Sequence, residues 1–289
     1  MRATLWAVTA AALFAGAVRS ADDAYDLRGP APKVKQVLRS KVTVTVADAD
    51  VTVGMGDQKM SAKQTITTTG EEEETILEVK EREVTKSRTK VIADRVRTVT
   101  DIDGNMETED ETNDLQGETV VSVKKEGKWT HKLEDAADPT DEQKKELAKR
   151  DGPESDDDLF PADKVKVGHE WTVDAAKARS LTGGQMIDVK GKLKQKFLRV
   201  EKVGDEECAV IETSGTITAK MKPSEKDEPT PDVTLKVTAT GWRSLKTGVE
   251  VKGKFAGTIR MAGKQKLDDA VVEMTLEGKI AGEGTTTLK

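Results

Sequence analysis

Apolar and polar residues alternate with a period of two along most of the chain. Val42, Val44 and Val46 stand opposite Lys41, Thr43 and Thr45, as in a half-buried strand, and Val51 and Val53 continue the pattern up to Gly54 and Gly56. Residues 63–69 are threonine-rich and favour strand. Gly70-Glu71-Glu72-Glu73-Glu74 reads as a solvated turn. Residues 76–84 and 90–100 predict further strands, ending in a turn at Asp101-Ile102-Asp103-Gly104-Asn105. Residues 118–124 and 128–133 flank Glu126-Gly127, a strong hairpin signal.

The alternation stops at residue 134. Asp138-Pro139-Thr140-Asp141-Glu142 opens a helix-favouring stretch over residues 143–149, acids first and bases last, which Gly152-Pro153 stops. The polar residues that follow read as an exposed linker. Beyond it the period of two returns. Val189, Leu193 and Phe197 share a parity against Lys190, Lys192, Lys194 and Lys196, and a Gly204-Asp205 turn follows. Leu235 and Val237, then Phe255, Ile259 and Met261, then Val272, Met274 and Leu276 repeat the scheme, with Pro223, Pro229 and Pro231 marking a loop and Thr182-Gly183-Gly184-Gln185 a hairpin tip. One apolar and one charged face per strand predicts antiparallel sheet with one side wet. The expected fold is mainly β: two curved antiparallel sheet halves, with one short helix in the connecting segment. Both halves hold a glycine-plus-charge turn (Gly70-Glu71 and Gly204-Asp205) and a Gly–Trp–Thr grouping, at residues 127–130 and 168–172, as an internal duplication would leave. The predicted organisation is a signal peptide over 1–20, a disordered lead-in over 21–33, β halves over 34–133 and 164–289, and helix plus acidic linker over 134–163.

The N-terminus sharpens this picture. Arg2 precedes an uncharged apolar run over residues 3–16, and Ala15-Gly16-Ala17 and Val18-Arg19-Ser20 are acceptable cleavage sites. The run is shorter than the roughly 20 residues of a spanning helix. The expectation is export to the periplasm or medium, with cleavage near residues 17–20 and no stable membrane anchor. Cys208, the single cysteine, stands in a strand-like run, so no intramolecular disulfide is available. Without Arg2 and Arg19 the chain keeps 45 basic residues against 53 acidic ones, a net charge of −8. That balance argues against nucleic acid and against docking on an anionic lipid surface. Aromatic residues are 3% of the chain, too few for a stacking platform, so the core must be aliphatic.

Candidate chemistry is sparse. His169-Glu170-Trp171-Thr172-Val173 begins like a zinc-protease motif but has Val173 where the second histidine must stand. Asp101, Asp103, Asn105 and Glu107 place oxygen ligands at alternate positions, as a calcium loop does, although Gly104 comes too early and Thr112 replaces the bidentate glutamate. These four are the candidate metal ligands. No nucleophile elbow or Walker loop is present, and no cofactor is implied. The acidic runs 71–74 and 156–158 read as solvated turns, with cation or partner binding as the alternative.

Residues 160–171, Phe160-Pro161 through Val165-Lys166-Val167-Gly168-His169-Glu170-Trp171, resemble a recurring "V-K-V-G-D-x-W" phrase of uncharacterised exported bacterial β-rich proteins. Residues 193–218 resemble their "strand, V-G-D, strand" hairpin. Residues 235–251, with Gly241 and Leu245-Lys246-Thr247-Gly248, resemble a later strand pair, Trp242 and Leu245-Lys246 being departures. The resemblance implies a domain of unknown function with a half-barrel, lipoprotein-carrier-like sheet, and transfers no functional residue. The leading expectation is a non-enzymatic envelope binding or carrier module, its aliphatic strand faces cupping an apolar small molecule or lipid, or docking an envelope protein. A structural protein without a ligand cavity is the second expectation, and a carboxylate-based hydrolase the third.

Overall fold

The computed structural model describes residues 23–55, 58–135, 138–153, 155–178, 186–222, 230–267 and 270–289. The expected signal peptide and the hairpin tip at 182–185 lie outside them, as does most of the proline loop. Among the described residues no helix is long and apolar enough to cross a membrane.

The chain is mainly β. In chain order come β1 (Ala24–Tyr25), β2 (Val37–Met55), β3 (Gln58–Lys80), β4 (Glu83–Ile102), β5 (Asn105–Thr112), β6 (Thr119–Lys125) and β7 (Lys128–Leu133). After the helix α1 (Asp141–Lys149) follow β8 (Val165–Lys166), β9 (Glu170–Asp174), β10 (Met186–Val203), β11 (Glu206–Met221), β12 (Asp232–Ser244), β13 (Glu250–Leu267) and β14 (Ala270–Leu288). Twelve strands make one antiparallel sheet, ordered β7-β6-β4-β3-β2-β14-β13-β12-β11-β10-β9, with β5 also on β4. The two halves are therefore continuous, because β2 and β14 pair from Leu38–Leu288 to Met55–Val272. β1 and β8 form a separate small pair.

Several predicted turns are in place. Asp103-Gly104 and Glu126-Gly127 both have positive φ at both residues, the mirror-image turn that suits the twist of a two-residue hairpin. Thr140 caps α1 through a capping box with Gln143. The predicted Gly70–Glu74 turn is different. These residues lie inside β3, which runs unbroken to Lys80, and the chain reverses at Glu81-Arg82. Glu71 is held by Arg39 and Lys41, Glu72 by Arg150 and Glu73 by Lys289, while desolvation raises the pKa of Glu74. Gly70 is thus mid-strand while Gly204 sits at a turn, and the duplication built on matching them loses that support.

Alternation sorts the sheet into two faces. Cross-strand partners share a face, so Val237, Gly257, Ile280, Val46 and Ile66 form one row on the inner side. The outer side carries lysine, threonine and glutamate. The inner face is covered at one end by everything that is not sheet. Leu27, Val165, Phe197, Ala209 and Ile211 pack together, so the lead-in is pinned rather than free. The C-terminal half has the largest buried cluster, where Leu159, Val173, Ala175 and Ala178 lie on Leu193, Ile217, Val233, Leu235, Val237 and Ile259. In the N-terminal half, Leu147 of α1 and Leu115 cover Val91, Val120 and Leu133.

Candidate functional site

The segment 134–163 is a strap laid across the inner face, not an exposed linker. Gly152 lies so close to the Trp129 indole that no side chain fits there. The Arg150 guanidinium meets Glu72 on β3 at 2.6 Å. Asp157 pairs with Arg82 in the β3–β4 turn, and Asp156 with Arg243 on β12. Arg243, 4% exposed at its side chain, also donates to the Leu27 and Arg28 carbonyls and stacks on the Phe160 ring, 4.1 Å from its centroid. The acidic run 156–158 is thus a set of counter-ions for the clamp, with Asp158 on Lys177. Arg82 also donates to the Gly29 carbonyl at 3.0 Å, and Gly29 packs backbone to backbone on Gly248 in the β12–β13 turn. Those two turns are four inter-strand spacings apart, about 19 Å in a flat sheet. One side chain and one peptide bridge them only because the sheet bends toward the strap.

Beyond the strap the inner face of β2, β3 and β14 is open in part, with Val46, Leu276 and Ile280 still packing on the C-terminal core. Met60, Val53 and Met274 form one cross-strand row, with Met60 71% and Met274 48% exposed. Val51 and Ile66 are half-buried, and Val42 is 43% exposed. The border between strap and open floor is a row of small residues, Gly241, Gly253, Gly284, Val42 and Gly70, ending at Asp94. A β-carbon added at Gly284 or Gly70 would meet only sheet atoms, so nothing lies over the floor at either point. At the other end, the Glu250 carboxylate lies down on Gly241 and Gly253, where β-carbons would come within 2.6 and 2.5 Å of its oxygens. Glu250 as a residue is exposed, but with its carboxylate packed on these glycines desolvation pushes its pKa up to about 7 against the pull of Arg243. Burial, then repulsion from Glu72, also raises Asp94. The groove is an aliphatic floor with a carboxyl group at each end of its polar border.

The other predicted residues are placed as follows. Asp101 and Ile102 end β4, Asp103 and Gly104 make the turn, and Asn105 and Glu107 begin β5. Asp101 Oδ1 accepts from the Gly104 N–H at 2.8 Å, closing the hairpin on itself. A two-residue turn cannot wrap oxygens around an ion as a twelve-residue calcium loop does. Among the described residues no group of three or more His, Cys, Asp or Glu side chains is gathered as a metal site. His169 stacks on Trp171 beside β9. Cys208 is a fully buried strand residue, its thiol pKa raised by desolvation. Ser122 and His131 approach to 2.8 Å on facing strands, where Ser122 is buried and burial lowers the His131 pKa.

No family model matches the chain, and no curated protein does. Among solved structures, the chain aligns with a DUF1329 family protein from Desulfovibrio piger at 9% identity and a TM-score of 0.14, over 88% of this chain and 85% of that one. It also aligns with the binding domain of botulinum neurotoxin serotype D/C at 9% identity and a TM-score of 0.12, over 86% and 78%. At such scores the superpositions carry neither fold nor function.

Arg82, Arg243 and Glu250 were invisible as functional positions in the sequence. Arg243 alone had a local signal: it is a charge in a strand next to Trp242, at a β-bulge where the alternation slips.

Proposed function

We propose that the chain is a non-enzymatic binding module that takes an apolar ligand on the open inner face of β2, β3 and β14. One observation carries this reading. The strap and lead-in cover the inner face over β9–β13 and over β6–β7, yet leave the Met60–Val53–Met274 row bare. Monomeric soluble proteins rarely leave contiguous apolar patches uncovered unless something binds there. The ligand class follows from the lining: aliphatic side chains with carboxyl groups only at the border suit a hydrocarbon, such as an acyl chain.

Fluorescent fatty-acid titration, with native mass spectrometry of the purified protein, tests the reading. The expected result is saturable uptake, weakened at least tenfold by Met60→Glu with Met274→Glu. Both side chains are already exposed, so the melting temperature should hold. A clean apo mass together with no uptake by the unaltered chain overturns the proposal.

A further inference from the structure

The outer face of the C-terminal half has a charge opposite to that of the chain as a whole. On β10, Lys190, Lys192 and Lys194 point outward at every second position, about 7 Å apart. Lys236 on β12 stands in the same cross-strand row as Lys192, and Lys254 on β13 in the row of Lys196. Lys190, Lys192, Lys194, Lys236 and Lys254 are exposed, and among the described residues none of them makes an ion pair. Acidic neighbours lie mostly at the margins: Asp174 on β9 stands directly across from Lys192, and Glu283 on β14 directly across from Lys254. Glu170 at the sheet edge is taken up by Lys196, Glu212 also faces Lys196, and Asp232 lies at the far end. Between the lysines stand Ser214, Thr216, Thr218, Thr234, Thr238 and Thr258, which offer hydroxyl groups and no apolar obstruction.

The chain has a net charge of −6, but on the outer face of β10–β13 cations outnumber carboxylates. The outer face of these four strands is therefore locally basic. We infer that the outer face of β10–β13 docks on an anionic phospholipid bilayer. The cations are spread over β10, β12 and β13 in two dimensions, which matches a plane of charges better than a single line of them. The unpaired cations are lysines, flexible point charges; the arginine in the row of Lys190, Arg260, is engaged by Glu277, and no exposed aromatic ring stands beside them to select a base or sugar. The expectation from net charge, that such a surface would be repelled, holds only when charge is evenly spread. Here the lysines share one face of the sheet, so attachment through them is oriented and leaves the aliphatic floor facing the aqueous side.

Vesicle co-sedimentation of the full chain decides this. Vesicles of phosphatidylcholine with 30% phosphatidylglycerol, about the anionic content of a negatively charged membrane, are compared with pure phosphatidylcholine. The expected result is binding to the anionic vesicles alone, falling at least tenfold between about 50 and 300 mM salt. Lys192→Glu, Lys194→Glu and Lys236→Glu together should reduce it at least tenfold at unchanged melting temperature, and the matching glutamine triple variant should fall between. The N-terminal apolar run is common to all variants, so contact through it would ignore both salt and substitution. Equal binding to neutral vesicles, no binding at low salt, or a triple variant that binds like the parent each overturns the inference. So does displacement from vesicles by an equal charge of soluble polyphosphate, which would mark the face as a site for linear polyanions.

Discussion

Inner-face residues Leu193, Ile217, Leu235 and Ile259 in the C-terminal half are between 0% and 8% exposed, whereas Val42 and Met60 in the N-terminal half are 43% and 71% exposed. Both sets come from strands with the same alternation. The difference lies in what is laid on them. The turn at Ala175–Lys177, the end of the strap and the lead-in all converge on β9–β13, while α1 reaches β6, β7 and only the adjoining part of β4. Alternation selects which face turns inward, but the route of the non-sheet chain selects how much of that face stays dry. A long sheet with a single strap has covered and uncovered ends as a matter of geometry.

The sharpest way to break this comparison is to remove one inner side chain from each half. Phe197→Ala should cost about 3–5 kcal/mol in urea unfolding, because Phe197 is fully buried under Leu27, Val165 and Tyr25. Val42→Ala should cost under about 0.5 kcal/mol, since its side chain is already wet. Comparable losses at the two positions would show that the N-terminal floor is sealed in solution. Next in size is Arg243→Ala, which strips the strap of its anchor and leaves Asp156 and two carbonyls without their partner. The loss should be about 2–3 kcal/mol, at the lower end for a broken buried pair because Asp156 can rehydrate. Faster protease cleavage within 134–163 should accompany it, and an unchanged cleavage rate would mean the strap is held elsewhere.

The smallest effect is a pH dependence at the border. The folded-state pKa of Glu250 is raised above its unfolded value, so its contribution is fully present below about pH 4.5 and is lost as pH rises through about 7. Glu250→Gln should therefore melt higher than the parent at pH 8, and with it at pH 4. Carboxylates held low by cations, such as Glu71 and Asp157, lose stability in the opposite direction, toward acid, in both proteins and cancel in the difference. A constant offset between parent and variant across this range would contradict the raised value.

Much of the fold was legible because strand alternation is local. Leu193 and Phe197 on one side and Lys192, Lys194 and Lys196 on the other follow directly from a period of two. The β3–β4 turn was misplaced because Gly70-Glu71-Glu72-Glu73-Glu74 carries turn chemistry, and only partners far away in the chain, Arg39, Arg150 and Lys289, make it tolerable as strand. The lead-in was misjudged for the same reason: Leu27 is its buried residue, and its pocket is built by residues over a hundred positions away. The groove was legible only as an aliphatic face. Its extent depends on the strap, and Glu250 acquires its character from two glycines that meet across β12 and β13.

The pairing of β2 with β14 also governs the order in which the molecule can come together. The first long strand and the last share the middle of the sheet, with more than two hundred residues between partners such as Leu38 and Leu288. Loop closure on that scale is slow and follows local hairpin formation. Two hairpin arrays, β2–β7 and β9–β13, must each wait with one long edge unpaired until β14 has been made. Loss of a few residues from β14 would therefore do more than shorten a strand. It would leave both arrays with exposed edges, open to association with other chains.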